Sequence, residues 1–117
     1  MQRFSGIPVY ALKRLHRGAA FTLPGIGIFT GSEYSGNIDL LRHEFGHILQ
    51  ARLHGYFRFY LFTGPLSLLS ACREQWNIGY LHKNARVETE ANLLSYAYFK
   101  APDDWDHQSF PLKTKTP

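Results

Sequence analysis

Apolar residues recur at helical spacing from residue 38 to residue 49, at Ile38, Leu41, Phe45, Ile48 and Leu49. Residues three and four apart share one face of an α-helix, so this pattern predicts a helix with a single buried stripe. Asn37 or Ser35 can cap its start, Asp39 sits in its first turn and Gly55 can stop it. A second stripe, Val87, Ala91, Leu94 and Tyr98, predicts a last helix that Asn84 can cap, that runs to about Lys100 and that Pro102 ends. Between the two, Thr63 can cap a short helix over PLSLLSACREQW, with Pro65 near its start.

Strands are predicted where β-favouring residues run between turn signals. IPVYALKRL reads as one strand and AAFTLPGIGIFTG as another. In the second, Ile26, Ile28 and Thr30 alternate with Gly25, Gly27 and Phe29, and the glycines leave one side thin enough for another backbone to approach. GYFRFYLF reads as extended and NIGYLHKN as a loop or short strand. The expected fold class is α+β, a small β-sheet packed on helices. Residues 1–100 read as one domain; the tail from 101 to 117 lacks periodicity and is either partly disordered, pinned by Trp105 and Phe110, or laid over a cleft.

Composition narrows the function classes. A chain of 117 residues, 44% hydrophobic and 19% charged, supports one globular core. Lys and Arg outnumber Asp and Glu by 13 to 9, but the basic residues are scattered, and no run of the kind that grips nucleic acid is present. The single cysteine, Cys72, can form no internal disulfide and reads as a packing residue rather than a nucleophile. The opening MQRFSGIPVYALKRLHRG is not a signal peptide, because Lys13 and Arg14 break its short apolar stretch. The segment YFRFYLFTGPLSLLSA, residues 56 to 71, carries Arg58 and a Gly64-Pro65 break and falls short of a membrane span. A cytoplasmic protein is expected, with peripheral contact to a membrane surface as the lesser alternative.

The candidate chemistry lies in HEFGH, residues 43 to 47, in the middle of the first predicted helix. His43 and His47 are then about 40° and roughly 6 Å apart on one face, so both imidazoles can reach one metal ion. Zn2+ suits two neutral histidine nitrogens and asks for a third ligand. Glu44 is turned about 100° from His43, away from direct ligation but within reach of a metal-bound water, where it can serve as general base. Gly46 clears space beside His47 for a substrate or a second element. The third ligand must come from elsewhere, and ARVETEANLLSYAYF offers Glu88 and Glu90. These lie about 200° apart on a helix, so only one can face the metal. Glu90 borders the apolar stripe and Glu88 lies opposite it, so Glu90 is the expected ligand. His82 is the alternative.

HEFGH followed by ETEAN on a later helix resembles the gluzincins, the thermolysin-like clan of zinc metallopeptidases. The likeness extends to the minimal members of that clan, about a hundred residues long, and to small bacterial HExxH proteins. It covers about residues 25 to 100 in the order of elements and rests on two motifs. It implies a zincin-like core in which His43, His47 and Glu90 hold zinc, Glu44 is the general base, and a peptide or protein is the substrate. It also implies a strand that pairs with extended substrate, for which Gly27, Ile28 and Phe29 are the candidates. Candidates to stabilise the transition state are Tyr80, His82, Tyr96 and Tyr98, and Asp39 and Asn92 are candidates to orient the ligands. The spacing of 43 residues from His47 to Glu90 is longer than the thermolysin type. No third histidine follows in the metzincin pattern. Against the peptidase stands a zinc-binding but latent or regulatory module, in which flanking segments plug the cleft and Asp103, Asp104, Asp106 or His107 supplies a blocking ligand.

Overall fold

The computed structural model describes residues 2–13, 20–31, 36–76, 83 and 85–113, with the backbone alone at Cys72, Gln75 and Trp76. Expectations for Ser35, Asn84 and the stretch 77–82, and for the side chain of Cys72, lie outside these residues. Four strands come first: β1 (Gln2–Phe4), β2 (Ile7–Leu12), β3 (Ala20–Leu23) and β4 (Gly27–Gly31). Helices follow: α1 (Ile38–His54), a single turn α2 (Tyr56–Arg58) that runs into a π-helical turn (Phe59–Thr63), then α3 (Gly64–Trp76) and α4 (Arg86–Tyr98). The architecture is α+β.

Ser5 and Gly6 both take positive φ, 48° and 84°, and close a tight β1–β2 hairpin that the hydrophobic pattern had not indicated. The run read as one strand, AAFTLPGIGIFTG, is instead a hairpin. Pro24 and Gly25 form its turn: Gly25 has φ 87°, and the Ile26 amide donates to the Leu23 carbonyl at 2.9 Å. The sheet order is β1-β2-β4-β3, with β2 and β4 parallel and the other pairs antiparallel. Gly27 is where β2 comes close, since a Cβ there would lie 2.7 Å from the Pro8 carbonyl and 2.8 Å from the Tyr10 ring.

One face of the sheet packs on α1. Val9 and Ile28 from the sheet meet Leu41, Phe45 and Ile48 from the helix, with Phe4, Ile7, Leu49 and Phe99 around them. Asn37 caps α1 by accepting from the amides of Asp39 and Leu40, and Gly55 ends it at φ 93°. Ile38, expected in the buried stripe, is about half exposed in the first turn. GYFRFYLF, residues 55–62, expected to be extended, is helical from Tyr56 on, and Thr63, expected to cap a helix, lies inside the continuous winding that runs into α3. Helical winding turns Phe59 and Thr63 to the interior together, and this tertiary demand overrides the local preference of aromatics for strands.

The two metal-motif helices meet backbone to backbone. A Cβ on Gly46 would strike the carbonyl of Ala91 on α4, so the space left by this glycine is filled by the second helix. Ser95 adds a hydrogen bond across the same seam, donating to the Arg42 carbonyl at 2.6 Å. After α4, Lys100 and Ala101 adopt φ of 62° and 52°, a left-handed pair that costs about 1–2 kcal/mol per residue and reverses the chain. Residues 102–113 then return along α1 and α4. Asp104 pairs with Arg42 at 3.0 Å, and the Trp105 indole donates to the Phe110 carbonyl at 3.0 Å.

Gly46→Ala should therefore destabilise the fold by about 3 kcal/mol or more, because the obstacle is backbone. Gly36→Ala, where a Cβ meets nothing within 4 Å, should stay within about 0.5 kcal/mol of wild type. Urea denaturation of the two variants checks this; equal midpoints would contradict the packing described.

Candidate metal centre

His43, His47 and Glu88 converge. Each offers a ligand atom, and these atoms lie within 4.8 Å of one another. The Oε1 of Glu88 is 3.1 Å from Nε2 of His43 and 3.4 Å from Nε2 of His47. All three side chains are buried, as is Glu44.

Neighbouring amides fix which ring nitrogens face inward. Asn92 donates from Nδ2 to the Pro111 carbonyl at 2.9 Å, so its Oδ1 is the atom that faces His43 Nδ1, at 2.6 Å. Gln50 donates from Nε2 to the Val87 carbonyl and to Glu90, so its Oε1 faces His47 Nδ1, at 2.7 Å. Each oxygen can only accept, so each Nδ1 carries the proton. Both Nε2 atoms are left with lone pairs directed at one carboxylate oxygen. Lone pairs and a carboxylate so arranged repel unless a proton or a cation stands among them. The donor set, two imidazole nitrogens and a carboxylate, with the far side of each imidazole held by an amide, is one that can hold a metal ion. Ser67 completes it from α3, donating to the other Glu88 oxygen at 2.7 Å.

Glu44 sits beside the triad. Thr22 of β3 donates to its Oε1 at 2.7 Å, while Oε2 lies 3.8 Å from Nε2 of His43. The His47 imidazolium feels opposed influences. Burial works against its charge, but the Glu88 carboxylate, with Glu44 and Gln50 adding to it, outweighs burial and raises its pKa to about 9.

The expected third ligand, Glu90, is elsewhere. Its carboxylate accepts from Gln50 and meets His54, both at 3.0 Å, and is partly exposed. Val87, Ala91, Leu94 and Tyr98 do not together form the inward side of α4. The buried residues are instead Glu88, Thr89, Ala91, Asn92 and Ser95, all polar but Ala91. Gln50, Thr22 and Ser67 are further members of the site; Gln50, three residues after His47, shares its helix face and is legible from spacing, whereas Thr22 and Ser67 carry no signal in the sequence. Asp39 lies 3.9 Å from Arg42, and the oxygen that holds His43 Nδ1 belongs to Asn92.

Two other expectations are corrected. Gly27, Ile28 and Phe29 lie in β4, an interior strand paired with β2 on one side and β3 on the other, so its backbone has no free edge for a substrate. Tyr96 turns to the tail, its ring 5.4 Å from that of Trp105 and 5.6 Å from that of His107. Tyr80 and His82 lie outside the described residues. From the tail, it is Phe110 that reaches the triad, with its ring 5.3 Å from that of His43. Asp104 is taken by Arg42, and Asp106 accepts from the amides of Gln108 and Ser109.

Metal titration should give one divalent ion per chain. Binding is lost in His43→Ala, reduced at least about 100-fold in Glu88→Gln, and little changed in Glu90→Gln. A weaker site in Glu90→Gln than in Glu88→Gln would contradict the assignment. The raised His47 pKa fixes the direction of the pH dependence. In the metal-free protein its stabilisation, on the order of 3 kcal/mol, is fully present below pH 6.5 and is lost as pH rises through about 9. A metal must displace that proton, so affinity should rise about tenfold per pH unit below pH 9. Calorimetry in buffers of different ionisation enthalpy reads the released proton; pH-independent binding would contradict this account.

Comparison with known protein families, curated proteins and solved structures finds no match to this chain. The candidate centre stands on its own geometry: two histidines and a glutamate that can hold a metal ion.

Proposed function

We propose that this chain is a small zinc-dependent peptidase with a gluzincin-like, zincin-type core. The observation that carries this reading is the convergence of His43, His47 and Glu88 with the Glu44 carboxylate directly alongside. Zinc fits the mixed nitrogen and oxygen donors, and bound there it supplies the Lewis acidity that acidifies water and polarises a peptide carbonyl.

The chain's own residues supply the rest. Thr22 occupies Oε1 of Glu44 and so leaves Oε2, on the triad side, to take a proton and later deliver it to the leaving amine. Thr22 belongs to β3, which forms one edge of the sheet and, among the described residues, pairs with no strand but β4. An extended peptide laid along Ala20–Leu23 would therefore run beside Glu44. This replaces the interior strand β4 as the substrate-pairing element.

A second reading, a zinc-holding module without turnover, is favoured by the burial of all three ligands and by the Phe110 ring on His43. Removing the tail does not separate the two readings cleanly, because the Pro111 carbonyl holds Asn92 and through it His43. Phe110→Ala uncovers the histidine and keeps that carbonyl in place.

Peptide-library cleavage with zinc-loaded protein tests both. The peptidase reading expects hydrolysis that falls by about 100-fold or more in Glu44→Gln with zinc content unchanged. Cleavage seen only in Phe110→Ala would favour a latent form. Zinc bound stoichiometrically with no cleavage in either protein would leave the non-catalytic module.

A further inference from the structure

The helical stretch from α2 through α3 is built inside out. Thr63, Ser67 and Ser70, spaced four and three apart, face the interior. Phe57, Leu61, Phe62, Leu66, Leu68 and Leu69 face outward and are 52 to 80% exposed. A surface helix in water turns the other way. Here the polar face is already committed, since Ser67 donates to Glu88, and the helix cannot rotate its leucines inward without breaking that contact. So large a continuous apolar surface marks an interaction site.

The charges around this face select its partner. Residues 56–76 carry Arg58 and Arg73 against Glu74, all exposed, and the exposed Arg86 opens α4. A groove of about 340 Å³ opens between α3 and α4, lined by Leu66, Leu69 and Val87 together with Arg73 and Arg86. Leucines with guanidinium groups at their margin match an acyl chain beneath an anionic headgroup. Among the described residues no helix is long and apolar enough to cross a membrane, so the face would lie on a bilayer rather than span it.

We propose that the outer face of α2, the π-helical turn and α3 docks on an anionic phospholipid surface, with its phenylalanines and leucines at the acyl boundary and its arginines at the headgroup phosphates. α3 is then the layer between bilayer and metal centre, with Leu68 on one side and Ser67 on the other. This does not depend on the hydrolytic reading.

Cosedimentation with sucrose-loaded vesicles tests the proposal. The full chain should bind phosphatidylcholine vesicles containing about one-third phosphatidylserine at least about tenfold more tightly than pure phosphatidylcholine. The double variant Phe57→Ser/Leu68→Ser should lose about tenfold or more of that binding and keep its metal stoichiometry, which shows that it is folded. Arg58→Gln/Arg86→Gln should lose the preference for phosphatidylserine. The proposal is overturned by absence of binding to either vesicle, or by undiminished binding of Phe57→Ser/Leu68→Ser. It is equally overturned by a dimer in solution that this variant splits while vesicles bind neither protein.

Discussion

The Glu88 carboxylate is the point at which the helical part of this molecule is joined. One of its oxygens faces Nε2 of both His43 and His47, and the other accepts from Ser67. Three helices therefore meet on one buried anion. A carboxylate is costly to bury unless it is paired and hydrogen-bonded. That constraint orders the surroundings: α1 must present two imidazoles, α3 a hydroxyl, and α4 must come close enough to deliver the glutamate. Gly46 permits the approach, because α4 passes its Ala91 backbone through the space a side chain would occupy.

The same constraint explains why the helices are polar on the inside. In α4 the interior positions are Glu88, Asn92 and Ser95 with Ala91 between them, and from the π-helical turn through α3 they are Thr63, Ser67 and Ser70. The apolar core lies elsewhere, between the sheet and the opposite side of α1. Helix α1 thus divides the molecule, with hydrocarbon on one side and the ligand network on the other. The tail belongs to that network as well, since Pro111 fixes the Asn92 amide that fixes His43, while Phe110 lies against the same imidazole. Support and cover come from adjacent residues.

These faces also show where sequence reasoning works and where it fails. Helix α1 is legible because its apolar stripe, Asn37 cap and Gly55 stop all agree, and HEFGH falls mid-helix as a result. Glu88 is not legible by the same logic. Hydrophobic periodicity finds the side of a helix that joins a hydrocarbon core, and α4 joins a polar centre, so of its apolar stripe Ala91 alone is fully buried while Tyr98 is half exposed. GYFRFYLF misleads for a related reason: with most of its aromatic side chains facing outward, its composition speaks for a strand while burial of Phe59 and Thr63 requires a helix. The hairpin inside AAFTLPGIGIFTG was present in the sequence as Pro24-Gly25, a turn pair outweighed by the alternation around it. That β4 is interior depends on strand order, which a local pattern does not carry.

Glu88, rather than Glu90, closes the candidate metal site with the two histidines of α1. Anomalous diffraction at the zinc edge from crystals of the zinc-loaded protein tests it most directly. A single peak is expected, bonded to Nε2 of His43, Nε2 of His47 and the carboxylate of Glu88, each at about 2.0–2.2 Å. A peak ligated by Glu90, or no peak between the two histidines, would contradict it.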